Sequence, residues 1–201
     1  MAIIVGTECV SGSDGVPEIR PLAFHTMHVM GATEGTRNGQ MVPDLTTVHL
    51  NGDCAQGFAR AATLAVPFIH FQQHVAAADP KAMLALLAGQ RDPKPVIVNP
   101  HNISNLYANM IGQVGTMVGL TRKPSAFVAA DYDDVHSQQR LWISANAART
   151  RQVVEQARNH QHNDVVVDLS EPAPLSTTPM IDLMKPAPRT ARRRAGAPAH
   201  P

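Results

Sequence analysis

Ionisable side chains collect at the ends of short apolar runs. Glu8 closes "AIIVGTECV", and Glu34 sits in "GATEGT" behind "PLAFHTMHVM". His70 stands in "PFIHF", and Asn99 and His101 end "PVIVNPHN". Asp168 ends "DVVVDLSE", with Glu171 just beyond, and "SAFVAADYDD" adds Asp131, Asp133 and Asp134. Gathered on one rim, such carboxylates and imidazoles would do acid–base work on a polar substrate, one group donating a proton while another accepts. Each residue taken singly has a plainer reading, as a cap on a neighbouring helix or turn.

Three smaller constellations carry less. His70 and His74 in "HFQQH" are four apart, a spacing that suits a metal on a helix, but Phe68, Ile69 and Phe71 read as a strand, which turns the two rings apart. "DYDD" lacks the glycine and the distal glutamate of a calcium loop, so Asp134 reads better as a helix cap. An unrelated α/β enzyme holding a metal on "ADYDD" is the third functional reading. Cys9 has no local activating group and reads as a small buried hydrophobe.

Positioning these residues requires strands. Runs at 2–10, 21–30, 67–71, 95–99, 125–132 and 164–170 are short and apolar, and 46–50 and 140–145 are weaker candidates. Between them, 53–65, 79–90, 102–120 and 148–160 have helical composition. Asp79 and Pro80 suit a helix start, and Gly89 suits a helix end. Apolar strands alternating with helices predict an α/β fold with a parallel sheet, either doubly wound or closed as a (β/α) barrel. In both, chemistry collects at the carboxyl ends of the strands. No GxGxxG or GxxxxGK[ST] motif is present, which removes support for a nucleotide site.

The bulk properties narrow the field. Apolar residues make up 44 % of the 201 residues but aromatics only 4 %, so the core is aliphatic. A net charge of +1 provides no steering field toward nucleic acid or membrane, and neither is an expected partner. Residues 186–201, rich in Pro, Ala and Arg, read as a disordered basic tail behind a domain spanning 1–185. Cys9 and Cys54 make no disulfide framework. "MAIIVGTECV" has no basic n-region and no run approaches a membrane span, so synthesis in the cytoplasm is expected.

In order, "ATEGT" (32–36), "IHF" (69–71), "LWIS" (141–144) and "VDLS" (167–170) resemble glycoside hydrolase family 25, the Chalaropsis-type lysozymes. The resemblance covers about residues 3–170. It implies an irregular parallel (β/α) barrel, TIM-barrel-like, that cleaves peptidoglycan without metal or cofactor. It assigns catalysis to Glu8, Glu34, His101 and Asp168, and substrate contacts to Asn99, His70 and Trp142. It also implies release by lysis or incorporation in a phage particle. The departures are specific. Glu8 replaces the family's first aspartate, and Asn99 and His101 replace its Asp-x-Glu pair. Gly31 replaces the lysine before Ala-Thr-Glu, and Ile69 the tyrosine before His-Phe. Protonating a glycosidic oxygen needs a titrating donor, which Asn99 is not. The expectation is therefore a muramidase domain with a degenerate catalytic motif, or a non-catalytic glycan-binding or structural descendant.

Overall fold

Period-two burial is clearest at Thr46–Leu50, where Thr46, Val48 and Leu50 are buried and Thr47 and His49 are half-buried. That alternation belongs to a strand with one covered face. It recurs through most of the chain. The computed structural model describes residues 2–11, 16–37, 40–50, 60–89, 93–107, 115–121, 138–143, 145–161, 164–174 and 181–182. The strands are β1 (Ala2–Ser11), β2 (Pro17–His25), β3 (Val29–Arg37), β4 (Gln40–Leu50), β5 (Arg60–Leu64) and β6 (Leu84–Ala88). They continue with β7 (Lys94–Val98), β8 (Ile103–Tyr107), β9 (Thr116–Thr121), β10 (Gln138–Ile143), β11 (Val165–Asp168) and β12 (Ile181–Asp182). Two α-helices are described, α1 (Phe68–Ala78) and α2 (Ala147–Arg158), and two 3-10 turns, Thr26–His28 and Pro100–Asn102.

All twelve strands belong to one sheet, with the main path β11-β1-β5-β4-β3-β7-β6-β10-β9-β8. Only β1–β11 and β6–β12 pair in parallel; every other described pairing is antiparallel. The α/β fold with a parallel sheet expected from the strand–helix rhythm, and the irregular (β/α) barrel that the resemblance implies, are therefore not the fold. A parallel barrel needs a crossover helix between successive strands. Here β3 and β4, and β6 and β7, are sequence neighbours joined directly as antiparallel partners.

Segments expected to be helical explain the difference. Within 79–90, Leu84–Ala88 forms the inner strand β6, with Leu84 and Leu86 packed in one core and Ala85 in the other. A short apolar run buried on both faces has no period to mark it as a strand. Within 102–120, the chain forms the hairpin strands β8 and β9, and residues 60–64 form β5. The reverse occurs at 67–71, where a strand was expected. Phe68, Phe71 and Val75 lie on one helical face and continue the stripe into the alanines of α1, with Pro67 at its N-terminus. The expected strands at 2–10, 95–99, 140–145 and 164–170 and the helix at 148–160 correspond to β1, β7, β10, β11 and α2. The expected strand at 125–132 and the expected tail at 186–201 lie outside the described residues.

Two cores stabilise the sheet. On one face α1 lays Phe68, Phe71 and Val75 over Ile4, Ala32, Val48, Leu64 and Ile97. On the other, Leu86, Val96 and Val98 meet Val118, Leu120 and Ile143 of the β8–β10 meander, with Val154 and Ala157 of α2 closing the cluster. Strand β1 forks the sheet. One edge carries β2 from Ile3 to Ser11. The other is shared by β11, opposite Ala2–Val5, and β5, opposite Glu8. The first half of β2, Pro17–Pro21, is exposed and contains Pro17 and Pro21, residues that an edge strand tolerates and that blunt further pairing.

Gly31 marks a close approach of backbone between β3 and β7. A Cβ there would lie 2.7 Å from the Ile97 carbonyl oxygen of β7. Position 31 thus has no room for any side chain without displacing backbone. We predict that Gly31→Ala lowers unfolding free energy by about 1–3 kcal/mol in urea denaturation, the range typical of overpacking.

Candidate functional site

Asn99 follows β7 and sits in a dense set of hydrogen bonds. Its backbone N–H donates to Met30 O at 3.0 Å, extending the β3–β7 pairing by one bond. The side chain is buried, 3 % exposed. Nδ2 donates to Thr26 O at 3.0 Å, and Oδ1 accepts from His101 N at 2.9 Å. The amide thus caps the Pro100–Asn102 turn and ties it to the Thr26–His28 turn. Asn102 repeats the link, donating to Val29 O at 2.8 Å. From α2, Arg158 Nε donates to Pro100 O at 3.0 Å and Nη2 donates to Ile103 O. A carboxylate at 99 has no N–H to offer Thr26, which gives asparagine a structural reason to stand there. His101 is exposed on the outer side of this turn.

The expected carboxylates fall in different places. Glu8 pairs in register with Leu64, Leu64 with Thr46, and Thr46 with Glu34. Registered residues share a face, so Glu8 and Glu34 stand on the α1 side of the sheet in one row. Three strand spacings separate them, about 14 Å between backbones. Paired glycosidase carboxyl groups stand roughly 5–9.5 Å apart. Asp168 pairs with Val5, on the face opposite Ile4 and Glu8, and is exposed. Its Oδ1 accepts from Ser170 Oγ at 2.6 Å and Ser170 N at 2.9 Å. The hydroxyl bond first, then the N–H bond, holds its carboxyl below the ordinary range. Trp142, half-buried on β10, packs against Gly115, where a Cβ would meet its ring at 2.5 Å. The fold brings Glu8 and Glu34 into one row and Asn99 beside His101, and it leaves Asp168 and Trp142 on other elements.

A second group lies where α1 meets the end of β11. His70 is exposed, and His74, one turn later, is 7 % exposed with Nε2 buried and unpartnered. Burial is the main cause that holds the His74 imidazole below its ordinary value. The backbone of Glu171 beside the ring and the charges of Glu171 and Asp168 pull it up, while His70 pushes it down. The helical spacing that the strand reading of "PFIHF" denied to His70 and His74 is present. Among the described residues, no three His, Cys, Asp or Glu side chains are grouped to hold a metal ion. Asp131, Asp133, Asp134 and Cys54 lie outside the described residues.

A cleft of only about 20 Å³, room for about one water, lies between β3, β7 and the β9–β10 pair, lined by Gly31, Thr33, His49, Val98, Leu120 and Leu141. Small-molecule sites typically span roughly 300–1,000 Å³. Sequence reading missed Asn102, Arg158 and Ser170. The Asn-Pro-x-Asn string at 99–102 was the available signal, since asparagines flanking a proline favour a capped turn. No family model, no curated protein and no solved structure matches the chain.

Two predictions follow from these contacts. Asn99→Ala removes one acceptor and one donor from a buried turn, and we predict a loss of about 2 kcal/mol in chemical denaturation, within the cost of orphaned partners. Ser170→Ala should return the Asp168 carboxyl toward the ordinary range, read as an upward shift in its NMR titration midpoint.

Proposed function

We propose that this chain is a non-catalytic β-sheet protein, a structural or glycan-holding part of an assembly such as a phage particle. One observation carries the reading: Asn99, an expected substrate contact, is already committed to the fold. The Asn99 amide is consumed by Thr26 and His101, in a site with almost no solvent exposure. A substrate contact must instead present its amide toward the ligand, and this one is buried against backbone groups. The separation of Glu8 from Glu34, and the placement of Asp168 on the opposite face, support the same reading. Exposed Ile3 and Val166, which are registered neighbours, and exposed Ile19 fit a part whose surface has neighbours to meet.

The muramidase reading keeps the resemblance in "ATEGT" and "VDLS" as its support. A muropeptide-release assay on purified peptidoglycan between pH 4 and pH 8 separates the two. The expected result is no soluble product from the parent or from Glu8→Gln and Asp168→Asn, and no activity created by His101→Glu. Product release that Glu8→Gln or His101→Ala abolishes would overturn the proposal. Co-sedimentation with insoluble peptidoglycan then distinguishes the two non-catalytic forms: retention indicates a glycan-holding part, and its absence a structural one.

A further inference from the structure

The apolar stripe of α1 contains one residue that does not belong there by hydropathy. Phe68, Phe71, Val75 and Ala76 are buried against the sheet, and His74 is buried among them. A neutral imidazole at that position costs little beyond its unpartnered nitrogen. A second proton adds a charge with no acceptor at Nε2, in a place water does not reach. The stripe is also the cover of the larger core, since Phe71 lies at zero exposure against it.

We propose that His74 makes α1 a proton-released cover, so that uptake of a proton by this imidazole detaches the helix and opens the sheet face under Phe71 and Val75. This goes beyond the structural role proposed above and holds whether or not the protein binds glycan. The surrounding charges set how strongly. His70, on the same helix, opposes protonation, whereas Glu171 and Asp168, after and at the end of β11, favour it. Glu8 and Glu34 occupy the row of the same sheet face that runs through β1 and β3. At the C-terminal end of α1, Asp79 meets His160 Nε2 at 3.3 Å. The burial of His74 decides the sign. Its folded-state value is lowered, so the unfolded chain binds the proton first. Docking is then at full strength above the ordinary imidazole value of about 6.5 and weakens as pH falls below it, until the lowered value is passed.

Hydrogen exchange read by mass spectrometry on the full chain at pH 7.5 and pH 5.0, corrected for intrinsic exchange, tests this. Peptides within 68–78 should lose protection by up to about tenfold per pH unit in that window, while β3–β4 peptides keep theirs. His74→Leu should hold α1 protected at pH 5.0, and His160→Gln should leave the loss in place. Equal protection of the parent at both pH values overturns the proposal. So does a His74→Leu variant that loses protection as the parent does, or a loss abolished by His160→Gln. Should His74→Leu not fold, the NMR titration of His74 in the parent decides. A midpoint below the ordinary value, coincident with α1 release, supports the proposal, and a midpoint at or above it overturns it.

Discussion

The buried amide of Asn99 is the contact on which the middle of this molecule depends. Strand β7 ends there, and the chain must turn away from β3 without leaving polar backbone groups unpaired. A single side chain does this by donating to the Thr26–His28 turn and accepting from its own Pro100–Asn102 turn. The first turn delivers β3 and the second delivers β8, so the amide fixes both the strand that carries Glu34 and the meander behind it. Arg158 then pins α2 onto the same turn through Pro100 and Ile103. Buried polar groups satisfied in this way specify one arrangement, because any other leaves a donor or acceptor unmade.

That arrangement bears on chemistry. A buried amide committed to two backbone partners is not turned outward to meet a substrate. Gly31 tells the same story from sterics, since the Ile97 carbonyl occupies the space a lysine would need. Short strings such as "ATEGT" are compatible with quite different surroundings, because a strand end followed by glycine arises in parallel and antiparallel sheets alike. What distinguishes the two is pairing between distant segments, and that is absent from the string itself.

Legibility varied for identifiable reasons. Strands β1, β7 and β11 were readable as continuous Val/Ile runs, and α2 from its composition. Segment 84–88 was not, because Leu and Ala favour helices and only burial on both faces makes them a strand. Helix α1 was hidden by a window that stopped at Phe71, before the period of 3.6 shows. The antiparallel β3–β4 pair had a usable signal in Asn38-Gly39, which separates Arg37 from its partner Gln40 and is a dipeptide suited to tight hairpins. Among the candidate residues, the types at 99 and 101 were visible as departures from the resembled motif. Their reason became visible only when Thr26 was found across the turn, 73 residues away.

The fork at β1 has a temporal side. Its β2 edge closes with residues that follow within a few positions in the chain. Its other edge, along Ala2–Val5, is completed by Val165–Asp168, about 160 residues later. At ribosomal rates of roughly 5–20 residues per second, that edge waits on the order of 8–30 s for its partner. For that interval the backbone of Ala2–Val5 is a template open to any extended segment nearby, while the prolines of β2 protect only the far side. Of the described pairings, this one spans the greatest separation along the chain.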